Sequence, residues 1–202
     1  MFNNVEWIFF DVGSTLMDES KAYEHRIKAM AEEANVSYDE IYHRMMEFYR
    51  QNKKGDLEVA RELGIDKPKW NLEDEKLYPE TEHCLKELSA KYNIGIIANQ
   101  SLRTADRLKE KGILKYIDLV IASAEEGVSK PDLRIFNIAL ERAHCLAENA
   151  VMVGDRLDND IAPAKKLGMK TIWIKQGFGR FSVPGSKEEC ADLIVENLQE
   201  II

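Results

Sequence analysis

The sequence predicts an α/β protein with a doubly wound, Rossmann-like parallel sheet as its core and a small all-helical cap domain. Residues 5–10 form a short, nearly continuous apolar run, which is typical of a strand buried on both faces. Four further apolar runs lie in the second half of the chain and alternate with helical stretches, as in parallel sheets. A mostly helical segment separates the first run from the others. We interpret this segment as an insertion above the carboxyl edge of the sheet.

The first predicted strand ends at Asp11, and the chain then turns through Gly13, Ser14 and Thr15. In a parallel sheet with helices on both faces, ligands bind just beyond the carboxyl ends of the strands. Asp11 occupies such a position. Aspartate is also common in solvated turns and as a helix N-cap, so this position alone does not establish a function.

The segment over residues 17–80 is predicted to form the cap domain. Its Met and Tyr residues recur at helical spacing and are typical of a small helical core rather than of a cofactor site. Serine is a good N-cap and glycine a common residue after the last helical turn, so both mark helix ends here. The predicted helices cover residues 18–35, a stretch after Ser37 that reaches Tyr49, and residues 56–63, which Gly64 follows.

The other predicted domain is the sheet domain, over residues 1–16 and 81–202. Short apolar strands alternate with helical stretches through its second part. The predicted strands cover residues 94–98, 119–122, 150–153 and 171–174, with an edge strand at 191–195. The predicted helices cover residues 79–92, 102–112, 132–145 and 158–167, the last ended by Gly168.

Charge and composition restrict the possible partners. The formal net charge is -8 and the pI is near 5.2, which argues against a nucleic acid or an anionic membrane surface as partner. An anionic substrate remains compatible, because a bound cation reverses the local field. No run of 18 apolar residues is present, so no membrane span is expected. The dispersed Cys84, Cys145 and Cys190, and an N-terminus without a basic region, predict a cytoplasmic protein with reduced thiols.

Polar residues lie at the ends of the predicted strands and at the start of one following helix. The candidates are Asp11, Asn99, Ser101, Lys130, Asp155 and Asp160. Because the carboxyl ends of parallel strands share one edge, we expect three acids and one lysine to converge in a crevice there. Carboxylate and carbonyl oxygens suit Mg²⁺. A lysine beside them can bind phosphate and keep an aspartate ionised.

An aspartate in such a site can act as a nucleophile and accept a phosphoryl group as an aspartyl-phosphate. Each residue also has an ordinary structural interpretation. Lys130 could be a surface lysine, and Asp158 and Asp160 could be first-turn acids that the helix dipole favours. We assign only Asp158 to that structural role.

Four segments, in this order, resemble the motifs of the haloacid dehalogenase superfamily. They are residues 10–16 (Phe-Asp-Val-Gly-Ser-Thr-Leu), 97–99 (Ile-Ala-Asn), 129–132 (Ser-Lys-Pro-Asp) and 153–161 (Val-Gly-Asp, then Asp-Ile). The resemblance spans the chain, including the position of the helical cap. It implies a Mg²⁺-dependent enzyme in which Asp11 attacks phosphorus and Lys130 steadies the nucleophile and the transferring group. The implied metal ligands are Asp11, the Gly13 carbonyl, Asp155 and Asp160, the last directly or through water.

Two positions depart from the pattern of the family's phosphatases. Gly13 replaces a second aspartate that protonates the leaving oxygen and later activates water. Such help is worth about 10²–10⁴ in rate, so we expect a slow phosphatase or one limited to good leaving groups. Ala98 replaces a Ser or Thr whose hydroxyl binds phosphate. Asn99 and Ser101, with the backbone amides near residue 100, are the candidate replacements.

The leading hypothesis is a Mg²⁺-dependent phosphohydrolase that acts through an aspartyl-phosphate on a small phosphorylated metabolite. The candidate cap contacts to that substrate are Arg44, Arg50, Lys53 and Lys54. The alternative is a protein with reduced catalysis that senses a phosphorylated ligand or a partner protein. Gly13 and Ala98 favour this alternative, whereas the retained acids and lysine favour the enzyme.

Two other activities of the superfamily are lesser alternatives. A phosphonate hydrolase would form a Schiff base from a cap lysine, and the candidates are Lys21, Lys28, Lys53 and Lys54. A dehalogenase would use the Asp11 carboxylate on carbon without a metal. The presence of Asp155 and Asp160 disfavours it, because the fourth motif of dehalogenases does not keep the metal-binding acids.

Overall fold

The apolar runs of the sequence form the strands of one parallel sheet. The computed structural model describes residues 4–202, so the first three residues of the predicted sheet domain lie outside the described part. In chain order, the strands are β1 (Trp7–Phe10), β2 (Met17–Asp18), β3 (Lys76–Leu77), β4 (Asn93–Ala98), β5 (Leu119–Ala122), β6 (Ala150–Gly154), β7 (Lys170–Ile174) and β8 (Leu193–Val195). The short strands β2 and β3 pair with each other in an antiparallel ladder, and the other six form the sheet.

The strand order places β1 in the interior of the sheet. The order is β5-β4-β1-β6-β7-β8, and every neighbouring pair is parallel. Phe10 is in register with Ile96 of β4 on one side and with Val153 of β6 on the other. The chain builds the sheet outward from β1 in one direction and then in the other, so a crevice opens between the ends of β1 and β6. The predicted doubly wound, Rossmann-like fold class is confirmed.

Helices cover both faces of the sheet, because successive residues of each strand are apolar and point to opposite faces. Phe10 belongs to one buried cluster with Leu85, whereas Phe9 belongs to another with Phe136. No helix among residues 4–202 has the length and apolar character that crossing a membrane requires. The helices are α1 (Ser20–Ala34), α2 (Tyr38–Arg50), α3 (Gly55–Leu63), α4 (Thr81–Ser89), α5 (Thr104–Glu110), α6 (Ser123–Glu126), α7 (Leu133–Ala143) and α8 (Ala162–Lys166).

The three helices α1, α2 and α3 have an apolar cluster of their own, in which Ile27, Met30 and Met45 are almost fully buried. Phe178, which follows β7, also belongs to this cluster. Its ring stacks on that of Tyr49 with 5.2 Å between the centroids. The cluster supports the predicted helical cap over residues 17–80, and the boundaries of the two domains remain a prediction.

Several elements differ from the sequence prediction in their bounds. The helix predicted from residue 79 begins at Thr81, whose hydroxyl donates to the Leu16 carbonyl at 2.8 Å and anchors this helix to the end of the first turn. The helix predicted from residue 102 begins at Thr104, because Arg103 has a φ of +67° and a left-handed residue interrupts a helix. The stretch predicted as one helix over 158–167 is a π-helical segment, Leu157–Ile161, followed by α8.

Candidate active site

Asp11 lies at the mouth of the crevice between β1 and β6. It directly follows β1, and its backbone amide donates to the Val153 carbonyl at 2.9 Å, which continues the parallel ladder by one residue. Asp155 comes directly after β6. The sheet topology therefore brings together two acids that are far apart in the sequence.

Lys130 joins the acids in this crevice. Its ammonium donates to Asp11 Oδ1 and to Asp160 Oδ1, each at 2.6 Å, and the residue is only 3% exposed. Burial alone would lower the pKa of Lys130, but the negative charges of Asp11 and Asp160 outweigh this effect and raise it. Lys130 is therefore held as a cation between the two carboxylates.

The side chain of Asn99 fixes the backbone of Lys130. Its Nδ2 donates to the Lys130 carbonyl, and its Oδ1 accepts from the Lys130 amide, both at 2.8 Å. Asn99 and Ser101 also line the cavity above the site. Both ends of the Asn99 side-chain amide are already bonded to Lys130. A predicted contact from Asn99 to phosphate would therefore use an atom that also bonds to Lys130. The roles of Asn99 and Ser101 remain predictions.

Asp155 and Asp160 are buried side by side. The Arg156 amide donates to Asp160 Oδ2 at 3.0 Å, and a Cβ at Gly154 would overlap the Asp160 carboxylate. Burial raises the pKa of Asp155 well above its ordinary value, and the negative charges of Asp160 and Asp11 raise it further. Burial also raises the pKa of Asp160 to about 6, although Lys130 opposes this change. The two raised pKa values reflect burial first and the crowding of negative charge second.

The donor atoms suit a divalent cation. In the described part of the chain, Asp11, Asp155 and Asp160 each offer a carboxylate oxygen, and these atoms lie within 4.8 Å of one another. One lysine cannot neutralise three clustered carboxylates, two of them buried, so a cation would relieve their mutual repulsion. Oxygen ligands at this spacing fit Mg²⁺, with the Gly13 carbonyl as the further predicted ligand. The metal set stays a prediction on these grounds.

Glu19 is a neighbour of the site that the sequence analysis does not single out. A Cβ at Gly13 would lie 2.5 Å from Glu19 Oε1, and the Ser14 hydroxyl donates to Glu19 Oε2 at 2.8 Å. Burial raises the pKa of Glu19 to about 8, against the hydrogen bond from Ser14, and the charges of Glu75 and Asp11 add to the increase. The sequence signal that could have identified Glu19 is an acidic residue a few positions after the first motif, in which Gly13 replaces the second aspartate.

A cavity of about 770 Å³ lies over these groups, between the sheet edge and the cap helices. Its walls carry six basic and six acidic side chains, and four of the basic ones lie in the predicted cap, where they suit an anionic ligand. Arg26 is buried and pairs with Asp56, and its Nε has no hydrogen-bond partner among the described residues. The basic residues on the walls are Arg26, Lys54, Lys67, Lys69, Lys130 and Arg156.

One of the four predicted cap contacts, Lys54, lines this cavity. Arg44 instead donates to Glu40 on the same helix at 2.6 Å, and Arg50 pairs with Glu47. Lys53 lies against the ring of Phe48. These three side chains make local contacts on α2 or next to it, because helical neighbours at three or four residues are within reach.

Asp158 pairs with Arg156, whose guanidinium donates to both of its carboxylate oxygens at 3.0 and 2.5 Å. Asp158 therefore has a local partner and is absent from the carboxylate cluster. The basic cavity residues that sequence reasoning missed in the cap are Arg26, Lys67 and Lys69. The directions of these side chains depend on how the cap helices pack, and no sequence motif indicates that packing.

Comparison with known proteins agrees with this geometry. Residues 8–174 match the family profile described as haloacid dehalogenase-like hydrolase. The chain belongs to this family. It is therefore a hydrolase, and the resemblance proposed from its motifs is confirmed.

Two curated relatives of this haloacid dehalogenase-like hydrolase are named glyceraldehyde 3-phosphate phosphatase. The one from Methanocaldococcus jannaschii is 31% identical and covers 98% of this chain and 96% of its own. The one from Pyrococcus abyssi is 32% identical and covers 86% and 82%. A solved structure, described as a HAD phosphatase from Thermococcus onnurineus, matches with a TM-score of 0.66 and 24% identity over 98% of this chain and 96% of the other. At that identity, the structural likeness supports the fold.

Proposed function

We propose that the chain is a phosphohydrolase that moves the phosphoryl group of a small phosphorylated metabolite to Asp11 and then to water. The observation that carries this proposal is the buried ammonium of Lys130, bonded to Asp11 Oδ1 at 2.6 Å on the floor of the cavity between the sheet edge and the cap helices. A cation in this place offsets the negative charge of Asp11 and attracts a phosphate dianion. The names of the two relatives agree with this class of reaction.

Each residue of the site has a separate role in the proposed reaction. The Asp11 carboxylate that forms the bond to phosphorus is positioned by β1, and Lys130 offsets the charge on the nucleophile and the transferring group. Asn99 keeps Lys130 in place. Ser101 and Gln100 border the cavity, and the Ser101 hydroxyl and the backbone amides near Gln100 would donate to phosphate oxygens. The cavity walls hold the remainder of the substrate and limit its size.

Mg²⁺ would be held by Asp11, Asp155, Asp160 and the Gly13 carbonyl. When bound, it supplies charge stabilisation to the phosphoryl oxygens. The crowded carboxylates described above support this set, because each of them needs a positive partner.

Small sugar phosphates are the first substrates to test, with glyceraldehyde 3-phosphate among them, given the names of the relatives. We expect wild type with Mg²⁺ to release phosphate, and rapid-quench trapping to recover a phosphorylated Asp11. The Asp11→Asn variant should neither release phosphate nor form the phosphorylated enzyme, and chelation of the metal should abolish turnover.

The matched control is Asp106→Asn, the same change at an exposed carboxyl on α5 that pairs with Arg103. It leaves turnover at the wild-type rate. Turnover that survives Asp11→Asn would overturn the proposed mechanism.

A sensor is the second candidate, because Ala98 is fully buried at the end of β4 and offers no hydroxyl to phosphate. A protein of this kind would bind a phosphate mimic in a Mg²⁺-dependent way without turnover. Calorimetry with beryllofluoride, beside the turnover assay, separates the two candidates.

A further inference from the structure

We propose that Glu19 is the general acid and base of this active site and replaces the side chain that Gly13 lacks. The inference rests on the proposed phosphohydrolase function and names the proton carrier that the reaction needs. It concerns a residue six positions beyond Gly13 and outside the family's motifs. Glu19 lies where β2 ends and α1 begins.

The position of the Glu19 carboxyl group carries the argument. A Cβ built on Gly13 would lie 2.5 Å from Glu19 Oε1, 2.9 Å from its Cδ and 3.0 Å from Oε2. The carboxyl group therefore fills the space that a side chain at residue 13 would take. Gly13, Glu19 and Asp11 all line the same cavity. An acid reaching in from residue 19 thus stands in for an acid attached at residue 13.

The orientation of Glu19 is fixed by its surroundings. The Ser14 hydroxyl donates to Oε2 at 2.8 Å, and no other hydrogen bond to this carboxyl is present among residues 4–202. Oε1, the oxygen nearer Gly13, accepts no hydrogen bond from the described residues, and Glu19 lines the cavity. Gly177 makes the contact possible, because a Cβ there would overlap the Ser14 hydroxyl. The loop after β7 thus supports the residue that holds Glu19.

The ordinary structural role for an acid at this position does not apply. Glu19 is the N-cap residue of α1, where a carboxylate usually accepts from a backbone amide of the first turn. Its side chain makes no such bond. The nearby Ser20 amide donates to Asp18 instead, at 2.9 Å. Asp18 therefore serves the helix end, and Glu19 is directed into the site.

The proposed reaction has two steps, transfer of the phosphoryl group to Asp11 and hydrolysis of the aspartyl-phosphate. A carboxylate oxygen of Asp11 forms a bond to phosphorus as the bond from phosphorus to the leaving oxygen breaks. That oxygen keeps the bonding electron pair and takes the proton of Glu19, so an alcohol leaves. Water then attacks the phosphorus of the aspartyl-phosphate and gives a proton to Glu19. The bond from phosphorus to Asp11 breaks, and inorganic phosphate leaves with both side chains restored.

The test compares Glu19→Gln with wild type on an alkyl phosphate and on p-nitrophenyl phosphate. Glutamine keeps the size of the side chain and the acceptor for Ser14 but carries no transferable acid proton. We expect cleavage of the alkyl ester to fall about 10²–10⁴-fold. Phosphorylation by p-nitrophenyl phosphate should change little, because p-nitrophenolate leaves without a proton. Since water activation also needs Glu19, rapid quench should show the phosphorylated enzyme accumulating in the variant.

A rescue variant covers the risk that Glu19 is only structural. Glu19→Ala combined with Gly13→Asp places an acid at residue 13 and clears the space for it, so alkyl turnover should recover. Gly13→Asp alone should not gain activity, because the new side chain meets the Glu19 carboxyl. Glu82→Gln, the same change at an exposed carboxyl on α4 that pairs with Lys115, should keep the wild-type ratio of alkyl to aryl phosphorylation rates.

The outcomes separate this inference from the proposed function. If Asp11 is still phosphorylated in Glu19→Gln, and rapid quench shows that the alkyl-to-aryl ratio of phosphorylation rates is that of wild type, the role of Glu19 alone is overturned. The same holds if phosphorylated enzyme fails to accumulate. A wild type that forms no phosphorylated Asp11 would overturn the proposed function and this inference with it.

Discussion

Single side chains set the geometry of this site, and Asn99 is the clearest case. It lies at the end of β4 and bonds with both ends of its amide to the backbone of Lys130, 31 residues further along the chain. Lys130 in turn holds Asp11 and Asp160. One amide therefore fixes the position of the cation on which two carboxylates depend.

Asn99→Ala should lower both stability and turnover. Loss of two hydrogen bonds costs about 1–3 kcal/mol of the unfolding free energy. Misplacement of the lysine should lower kcat by up to about 10²-fold, with little change in inhibition by inorganic phosphate. Denaturant unfolding and steady-state kinetics check this. An unchanged unfolding free energy with a raised KM would instead identify Asn99 as a phosphate contact.

The residues of the site were only partly predictable from the sequence. Asp11, Lys130, Asp155 and Asp160 could be grouped, because the ends of parallel strands share an edge and the motifs mark them. Glu19 was marked only weakly, as one of two adjacent acids after Gly13, because its approach to Gly13 depends on the short β2 strand and on the start of α1. Nothing in residues 17–19 indicates which of two adjacent acids turns inward.

The strands and helices were likewise only partly predictable from the pattern of apolar residues. Five apolar runs became strands within one or two residues of their predicted bounds. The π-helical segment Leu157–Ile161 was missed, because periodicity does not register one extra residue within a turn. The β2–β3 pair was missed because strands of two residues have no alternation to detect.

The edge strand β8 depends on polar bonds to β7, and these give a pH-dependent prediction. Asp192 accepts from the Thr171 amide at 2.9 Å and from its hydroxyl at 2.8 Å, and it pairs with Lys165. Burial alone would raise the pKa of Asp192, but the bonds from Lys165 and Thr171 outweigh it and lower the pKa below its ordinary 3.8. A lowered carboxyl pKa means that the ionised form stabilises the fold.

Asp192→Asn should therefore lower the unfolding free energy by about 1 kcal/mol at pH 7. The difference from wild type should persist down to the ordinary pKa and shrink as the pH falls through the lower folded value, because wild type then becomes protonated too. Urea unfolding of wild type and of the Asp192→Asn variant between pH 2.5 and pH 7 measures this difference in unfolding free energy. The control Asp106→Asn makes the same change at an exposed carboxyl that pairs with Arg103, and it should cost only a few tenths of a kcal/mol. A deficit that grows toward low pH would contradict this account.

At the scale of the whole molecule, the loop after β7 connects the sheet with the cap helices. Phe178 from this loop lies in the cap cluster, 7% exposed, with its ring 4.9 Å from that of Tyr23 and 5.2 Å from that of Tyr49. Ser182 in the same segment donates to the Tyr49 carbonyl at 3.2 Å. The cap is thus held by a second connection besides the chain that leads into it.

Phe178→Ala should lower the unfolding free energy by about 3–5 kcal/mol, because it leaves a cavity among buried rings. We also expect faster proteolysis within α1 to α3 and reduced turnover, since the cap then covers the cavity less closely. Thermal melting and limited proteolysis test this. Leu146→Ala, at a side chain that is 66% exposed, is the matched truncation and should change stability by less than about 0.5 kcal/mol. Equal effects of the two truncations would show that Phe178 makes no connection of this kind.

The shared ring of Phe178 limits how freely the parts of such proteins can be exchanged. A fragment limited to residues 17–80 would expose the aromatic faces of Tyr23 and Tyr49 that the later loop covers. Anyone grafting a cap from a relative onto this sheet would have to graft residues 177–182 with it. Insertion and loop are therefore expected to change together, although about a hundred residues of sequence separate them.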